Sequence, residues 1–397
     1  MAFRAPIRIA SGGSPSGNTL GIIYGINSAS MAVLGSLISL VGLNVLNDNT
    51  VALSFALFLS ALISLPVVLY TGSLINLLTR KYVFTIGVFI AIFSNLLFMF
   101  DLSITFVLAN ACRMAGAGLM MMCISLYTMD FIPRKQLASA ESRKFVFAGI
   151  SWLIFPFVGT WMWVNVDHHT PFFLSTGLVS FLIMIFWWLR ISEAKNIKPP
   201  KSGNLHFIKN VRAYFGNPHM RVAYLIAVAR SSSWVVFFTY GPIYLRDAGV
   251  STQWIGLFMG AIMAVLIFSS RFAAFAQYFG IRKTILFSFL MAGISMIALG
   301  LLPEPTIWGL LLLLLASLGF DMLDIIGNLP FMRMVTPKVR VEMTSVFSTW
   351  REMSFVVTPG VSALILMVTD ISGLFLVLGS VLVFAGFLSR TMPIRVD

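Results

Sequence analysis

The chain alternates between long apolar segments and short polar connections. Twelve such segments run at about 19–46, 50–78, 82–100, 104–131, 145–165, 171–190, 220–245, 254–278, 284–302, 306–332, 342–368 and 372–389. Apolar runs of this length predict helices that cross a bilayer, because lipid cannot satisfy unpaired backbone groups. Only 10% of the residues are charged, which is too few to cover a soluble protein. The sequence therefore predicts an all-α polytopic membrane protein with 12 transmembrane helices.

The basic residues lie mostly in alternate connections. If the N-terminus is cytoplasmic, most of the 27 Lys and Arg residues fall on that side, and the opposite connections hold only Arg246. This positive-inside pattern explains the net charge of +13 without a nucleic-acid partner. We expect a monomer surrounded by lipid in a bacterial inner (plasma) membrane, with both termini cytoplasmic. The first apolar segment is too long for a signal peptide, so none is expected.

One long polar connection divides the chain into halves. We expect a cytoplasmic N-tail at 1–18, a six-helix bundle at 19–190, a cytoplasmic connection at 191–219, a second six-helix bundle at 220–389 and a cytoplasmic C-tail at 390–397. Within the connection, about 204–215 is expected to form an amphipathic helix on the membrane surface.

The two halves carry matching landmarks at almost one offset. Arg80 precedes Arg282 by 202 residues, and Pro156 precedes Pro359 by 203. A near-constant offset predicts that the halves are parallel structural repeats. Twelve independent spans are the alternative.

Two carboxylates lie inside the tenth apolar segment. Asp321 and Asp324 are three residues apart, which places them one turn apart on one face of a helix. Asp321 is about 11 residues, or ~16 Å, from the Met332 end of the segment, well inside a hydrocarbon core. A carboxylate there costs several kcal/mol unless it is paired, hydrated or protonated, so this position is a hypothesis for a functional site.

Arginines lie at similar depth in three other segments. Arg113, Arg230 and Arg351 are each about nine or ten residues from a segment end, which is ~14–15 Å along a helix. Such residues pair with acids, line a water-filled cavity or bind a substrate.

These charges predict a buried network. Arg230 and Arg351 are expected to meet Asp321 and Asp324, with one acid changing its protonation during transport; Glu352, next to Arg351, is a further candidate for proton coupling. A permanent structural ion pair between helices is the alternative. A third reading places one acid nearer to cytoplasmic water.

The loop after the second segment carries a motif. The stretch 72–81, GSLINLLTRK, has the spacing of the Gly-x-x-x-Asp-Arg-x-Gly-Arg-Arg motif of the major facilitator superfamily, which the chain resembles over nearly its whole length. It departs from the motif at Asn76, Leu77 and Thr79, where the family has Asp, Arg and Gly. The candidate gate and loop residues are Gly72, Asn76, Arg80, Lys81, Asp130, Arg134, Gly280, Arg282 and Lys283.

Other stretches also resemble motifs of this superfamily. The second half keeps 280–283, GIRK, of the loop motif, with Arg271 upstream. In the fourth segment, 113–118, RMAGAG, is similar to the Arg/Gly motif of that helix. In the fifth, 156–159, PFVG, resembles the tail of the Gly-Pro-x-x-Gly motif associated with antiporters, with Phe155 in place of the first Gly.

The resemblance implies the major facilitator fold and a central cavity. In this superfamily the first, fourth, seventh and tenth helices face the cavity, so the resemblance implies that Asn27, Arg113, Arg230 and Asp321 line it. It also implies two six-helix bundles that rock about a midplane site. Asp130 would pair with Arg134 or Arg80 to lock the inner gate, with an ordinary surface salt bridge as the alternative.

Further cavity candidates follow from position near the charges. Trp234 lies one helical turn after Arg230 and is expected to cover it by cation–π contact, with ordinary packing as the alternative. Tyr240 and Arg351 complete the expected lining, together with the serines at 231–233.

The sequence predicts a secondary active transporter and no enzyme. The buried carboxylates favour coupling to protons, and the stretch at 156–159 favours export of a small amphipathic compound. Uptake of an anionic metabolite or a siderophore-like metal chelate is the alternative, since the three buried arginines could bind carboxylates. A non-transporting receptor or assembly factor is an alternative of another class. No metal or cofactor is expected, because the four His residues are scattered and no phosphate-binding loop occurs.

Overall fold

A computed structural model of the protein describes residues 16–132, 137–189, 207–265, 272, 275, 276, 278–335 and 340–392. Arg134, Arg271 and the side chain of Asn76, which were named above, lie outside the described part. Throughout that part the regular secondary structure is helical, which agrees with the predicted fold class.

Sixteen described helices follow one another along the chain. The first seven are α1 (Gly17–Val33), α2 (Leu37–Val45), α3 (Thr50–Leu69), α4 (Thr71–Leu97), α5 (Ser103–Phe131), α6 (Leu137–Asn165) and α7 (Thr170–Trp188). The others are α8 (Phe207–Gly216), α9 (Pro218–Asp247), α10 (Thr252–Ala264), α11 (Ile281–Gly300), α12 (Gly309–Ile326), α13 (Leu329–Met334), α14 (Arg340–Phe347), α15 (Trp350–Leu366) and α16 (Ile371–Ser389).

Ten helical spans within these ranges are long and apolar enough to cross a membrane. One span joins α1 and α2 across a break, and another joins α12 and α13. The apolar helix α10 is shorter than a bilayer requires within its described length. These spans, together with the helical content, identify an integral membrane protein.

The helices form two compact units. The first contains Met1–Leu37 and Leu62–Pro199, and the second contains Ile38–Ala61 and Pro200–Asp397. Residues 38–61, which belong to the first half of the sequence, therefore pack within the second unit. The bundle boundaries inferred from the sequence repeats stay a prediction.

Small residues bring paired helices close together inside each unit. In the first unit, a Cβ placed on Gly116 of α5 would lie 2.8 Å from the Gly87 carbonyl oxygen of α4. In the second unit, a Cβ on Gly293 of α11 would lie 2.8 Å from the Gly379 carbonyl oxygen of α16. Such close backbone contact is typical of helix packing in membranes, where small residues replace the hydrophobic driving force.

The amphipathic helix expected in the central connection is present as α8. Its predicted range, about 204–215, compares with Phe207–Gly216 in the structure. The helix is fixed to the second unit by Tyr214, which is fully buried and contacts the rings of Tyr224 and Phe331. Burial raises the pKa of the Tyr214 phenol.

Candidate functional site

The tenth predicted segment is broken just after its two acids. Helix α12 ends at Ile326, and α13 begins at Leu329 with Pro330 in its first turn. The Gly327 N–H donates to the Leu323 carbonyl oxygen at 2.7 Å and closes the last turn of α12. A helix that ends inside a membrane leaves carbonyl groups without water to satisfy them, so another group must supply donors.

Arg230 of α9 supplies those donors. Its Nη1 donates to the carbonyl oxygens of Leu323 at 3.4 Å and Asp324 at 3.3 Å, and its Nη2 donates to Asn328 Oδ1 at 3.2 Å. A positive charge at a helix C-terminus also interacts favourably with the helix dipole. Arg230 therefore caps the broken end of α12.

The same guanidinium forms an ion pair with Asp324. Arg230 Nε lies 3.4 Å from Asp324 Oδ1, and the two side chains are 3% and 37% exposed. The arginine of the pair is thus buried, whereas the carboxylate is partly exposed. Arg351 lies close enough to interact electrostatically with both groups.

The ring that covers Arg230 differs from the prediction. Arg230 Cζ lies 4.5 Å from the ring centre of Trp350, which is the first residue of α15. Trp234 instead stacks on Phe238 and contacts Phe320 edge-on. Its indole N–H faces the Asp324 carboxylate without a hydrogen bond of standard geometry. Spacing along one helix predicted Trp234 as the ring that covers Arg230, whereas the contact comes from Trp350 on another helix.

Asp321 is separate from this network. Its side chain is 0% exposed, and neither carboxylate oxygen has a hydrogen-bond partner among the described residues. The predicted network of two acids and two arginines is therefore reduced to one ion pair, Arg230–Asp324, with Asp321 one turn away and unpartnered. A charged carboxylate in such surroundings is strongly disfavoured.

Two other predicted residues lie beside Trp350. Arg351 is exposed, with its Cζ 5.6 Å from the Trp350 ring centre. Glu352 is half-buried in the first turn of α15, where an acid is favoured by the helix dipole. Neither residue forms an ion pair within the described ranges.

Hydroxyl groups hold α9 against α15 around this site. Ser354 Oγ donates to Ser231 Oγ, and Thr358 Oγ1 donates to Ser232 Oγ at 2.8 Å. The helix that carries Arg230 is thereby fixed to the helix that begins at Trp350. Two of the three serines expected in the cavity lining therefore bond between helices, and their place in a cavity stays a prediction.

Tyr240, a predicted cavity residue, is buried. Its hydroxyl is hydrogen-bonded to Ser54 of α3. Near the end of the same helix, Arg246 Nη1 lies 2.7 Å from Asp48 Oδ1, and Arg246 also contacts Asp247. These contacts fasten residues 38–61 to α9 within the second unit.

Arg113 of the first unit has neutral partners. Its Nε and Nη2 donate to Asn110 Oδ1 at 3.3 and 3.2 Å, and its Nη1 lies 3.8 Å from the Met31 sulfur. No carboxylate pairs with it among the described residues. Asn27, the other residue expected to face the cavity from this half, is buried, and its Oδ1 has no partner in the described part.

A small pocket adjoins Arg113. Its lining includes Ser30 and Met31 of α1, Asn95 of α4, Arg113 of α5 and Ser175 of α7. The rest of the lining is apolar (Leu34, Ala91 and Val179), and the volume of about 10 Å³ suits a single water molecule. Neither Asn95 nor Ser175 could be identified from the sequence.

The loop motif of the first half contains one of the two ion pairs predicted for Asp130. Arg80 Nη1 is paired with Asp130 Oδ2, and the Lys81 Nζ lies 3.7 Å from the ring centre of Trp187. The preceding residue, Thr79, has φ 71° and ψ 156° and interrupts α4. The family has Gly at this position, and this conformation normally requires Gly.

The corresponding loop of the second half repeats this conformation. Gly280 has φ 90° and ψ 141° immediately before α11. Arg282 Nη2 donates to the Arg390 carbonyl oxygen at 2.7 Å, whereas Lys283 is exposed. A Cβ on Gly72, the first residue of the motif, would meet only the end of a methionine at 4.0 Å, so that position has room for a side chain.

Residues that could hold a metal are not grouped. Within the described ranges, no cluster of three or more His, Cys, Asp or Glu side chains has the geometry of a metal site. The chemistry available at the site is therefore that of an ion pair, an unpartnered carboxyl group and a capped helix end.

Known proteins resemble this chain in sequence family and in fold. The model of the Major Facilitator Superfamily matches residues 20–352, whereas no curated protein sequence matches significantly. The nucleoside transporter NupG is similar in structure, with a TM-score of 0.74, 16% identity and coverage of 94% of this chain and 98% of NupG.

Two further solved structures are of transporters with the same fold. A peptide transporter POT in complex with sulfate has a TM-score of 0.75 at 13% identity, and the match covers 98% of this chain and 97% of the peptide transporter. A D-xylose-proton symporter has a TM-score of 0.73 at 14% identity, and the match covers 96% of this chain and 98% of the symporter. At such low sequence identity, the structural similarity shows only a shared fold. The family is shown by the match of the family model to residues 20–352. The chain belongs to the major facilitator superfamily.

Proposed function

We propose that this protein is a proton-coupled secondary transporter that exports a small amphipathic organic compound by alternating access. It would lie in a bacterial inner membrane with both termini in the cytoplasm, as the distribution of basic residues predicts. The observation that carries the proposal is the buried, unpartnered carboxyl group of Asp321, one turn from the ion-paired Asp324.

Asp321 suits a proton carrier because its surroundings favour the neutral acid. A carboxylate without hydrogen-bond donors or a counter-ion would bear the full desolvation penalty, and a bound proton removes that penalty. A carrier must also release the proton in another conformation. Water that reached Asp321 would stabilise the carboxylate and allow that release.

In the proposed mechanism, substrate binding moves the break between α12 and α13, and this movement lets water reach Asp321. Discontinuous helices near the bilayer midplane are typical of binding sites in secondary transporters. Arg230 bonds to the carbonyl oxygens at the end of α12 and to Asn328, which precedes α13. A movement of α13 relative to α12 would break these bonds and open a path for water to the carboxyl group of Asp321, one helical turn before Asp324.

The comparisons support a small organic cargo and proton coupling. The similar structures are named as transporters of nucleosides, peptides and D-xylose, and one of them as a proton symporter. Export is supported by the antiporter-like stretch at 156–159. Within it, Gly159 lies directly against the Val33 backbone of α1, where a side chain would not fit.

Uptake of an anionic metabolite or a metal chelate is the second candidate. It is supported by Arg113, whose described partners are an amide and a thioether. A non-transporting role as a receptor or assembly factor is the third, and it requires no proton-binding group.

Proton flux in proteoliposomes tests the proposal. The purified chain is reconstituted with a fluorescent pH indicator inside, a pH gradient is imposed, and nucleosides, dipeptides, sugars, organic acids and amphipathic cations are added in turn. We expect one class to move protons, and Asp321→Asn to abolish that flux. Asp101→Asn, an exposed acid between α4 and α5, serves as the matched control and should retain it.

The sign of the flux separates the alternatives. Protons that move opposite to the solute indicate export, and protons that move with it indicate uptake. Uphill solute movement that ignores the pH gradient would refute proton coupling. No movement of any solute class would favour the receptor or assembly role.

A further inference from the structure

The eleventh predicted segment is broken, as the tenth is. Helix α14 ends at Phe347, and α15 begins at Trp350. In the turn between them, the Thr349 N–H donates to the Val346 carbonyl oxygen at 3.2 Å. Thr349 Oγ1 is also hydrogen-bonded to the hydroxyl of Tyr224 on α9 at 2.9 Å. Both breaks of the second unit are therefore bonded to α9.

Arg230 of α9 lies at both breaks. Its Nη2 donates to Asn328 Oδ1 at 3.2 Å in the first break, and its Cζ lies 4.5 Å from the ring centre of Trp350, directly after the second. A Cβ on Gly327 would lie 3.2 Å from Arg230 Cδ, so the arginine stem packs against the first turn itself. Because one side chain reaches both turns, the turns lie side by side. Hinges are formed by a few residues at the ends of elements, and these two turns can bend about one axis near Arg230.

The short helices beyond the two breaks are joined to each other. Phe331 of α13 stacks on Phe347 of α14, with ring centres 3.9 Å apart and an angle of 4° between the ring planes. Both rings are buried, together with Val335 and Val346. Separating the two helices would expose this apolar surface, so a displacement of α13 carries α14 with it.

Helix α8 ties this pair of helices to α9. The Tyr214 ring centre lies 6.2 Å from that of Phe331 and 6.1 Å from that of Tyr224, and α8 also packs on α14. Tyr214 is fully buried, yet its hydroxyl has no hydrogen-bond partner among the described residues. A buried hydroxyl without a partner weakens the contact, and it regains hydrogen bonds to water when α8 and α13 separate. This contact therefore opens more easily than a hydrocarbon contact of the same size.

We propose that α13 and α14 move as one body about the two breaks, and that Tyr214 of α8 holds this body in the position found in the structure. Tyr214 is thus a positioning residue for the movement that admits water to Asp321. That role rests on the proposed function, whereas the joint movement of α13 and α14 does not.

Hydrogen–deuterium exchange of the full-length chain in lipid nanodiscs tests the joint movement. Exchange of backbone amides reports local opening of the segment that carries them. Tyr214→Ala removes the ring, and we expect exchange in α13 and α14 to accelerate by a common factor of at least about ten. Helix α11, which packs on α12 and α16, should exchange as in the wild type.

Two further variants keep the exchange test decisive. Tyr214→Phe keeps the ring and removes the unpartnered hydroxyl, so exchange in both helices should become slower than in the wild type. This variant decides the test even if Tyr214→Ala does not fold. Arg212→Ala, which truncates an exposed residue of α8, is the matched control and should leave exchange unchanged.

Solute exchange in proteoliposomes measures the effect of Tyr214 on transport. Nucleosides, dipeptides, sugars, organic acids and amphipathic cations are supplied in turn at equal concentrations on both sides. For the class that moves, we expect Tyr214→Ala to raise the maximal rate several-fold at unchanged KM and Tyr214→Phe to lower it. The rate changes without KM because opening is altered and binding is not.

The outcomes separate the two parts of the proposal. Faster exchange in α13 alone would overturn the joint movement. Unchanged exchange in both helices, or equal acceleration throughout the second unit, would overturn the holding role of Tyr214, and so would unchanged transport kinetics in both Tyr214 variants. If no solute moves in any variant, the proposed function fails, while a common acceleration of α13 and α14 still supports their joint movement.

Discussion

Thr79 is expected to be a strained position whose relief stabilises the protein. Its backbone lies at φ 71° and ψ 156°, a region occupied almost only by Gly and worth about 1–3 kcal/mol of strain for another residue. Its side chain is exposed, so little packing is lost on truncation. The added freedom of Gly in the unfolded chain offsets about 0.5–1 kcal/mol. Thr79→Gly should therefore stabilise the fold by about 0.5–2 kcal/mol.

Thermal unfolding in detergent measures this gain. For a chain of this length we expect the midpoint to rise by about 1–3 °C, because unfolding entropy grows with size. Thr79→Ala removes the branched side chain but keeps the strain, so it should gain little. Leu77→Gly, an exposed neighbour inside the same helix, is the matched control and should lose about 1 kcal/mol. A lower midpoint for Thr79→Gly than for the wild type would show that the backbone at Thr79 is not strained.

Two other substitutions test the ion pairs of the second unit. Arg230→Gln should destabilise the protein by about 1–3 kcal/mol, because it leaves the end of α12 without its donors and the partly exposed Asp324 without a cation; a midpoint within 1 °C of the wild type would contradict the capping role. Arg246→Gln should cost at most about 1 kcal/mol, because its pair with Asp48 is exposed, and raising the salt concentration should shrink the difference between the two proteins.

Much of the architecture follows from the sequence because it depends on local pattern. The length of apolar runs predicted the spanning helices, and amphipathicity predicted α8. The tenth segment, in contrast, is broken between Ile326 and Leu329, close to the acids. The movement of this break during transport stays a prediction.

The arrangement of the site could be predicted only in part. Depth within a helix identified Arg230 and Asp324, but spacing along one helix could not show that the covering ring is Trp350 or that Asn328 binds the guanidinium. Those contacts depend on how separate helices pack. The separation of Asp321 from the ion pair has the same origin, because two acids one turn apart differ in direction by about 60° and face different neighbours.

Thr79 shows another limit of sequence reasoning. The motif suggested a departure from the family, since Thr stands where Gly is expected. Residue identity alone did not show whether the backbone had changed to suit the new residue or kept its conformation. In the structure Thr79 has a conformation that normally requires Gly, and the second half repeats it at Gly280.

Whether Asp321 carries the coupled proton is measured by the proton movement that accompanies solute transport by Asp321→Asn in proteoliposomes. If Asp321 carries the proton, this variant still exchanges solute across the membrane at equal concentrations on both sides. It no longer moves protons or accumulates solute against a gradient. Solute-dependent proton flux at the wild-type rate in Asp321→Asn would show that Asp321 is not the proton carrier.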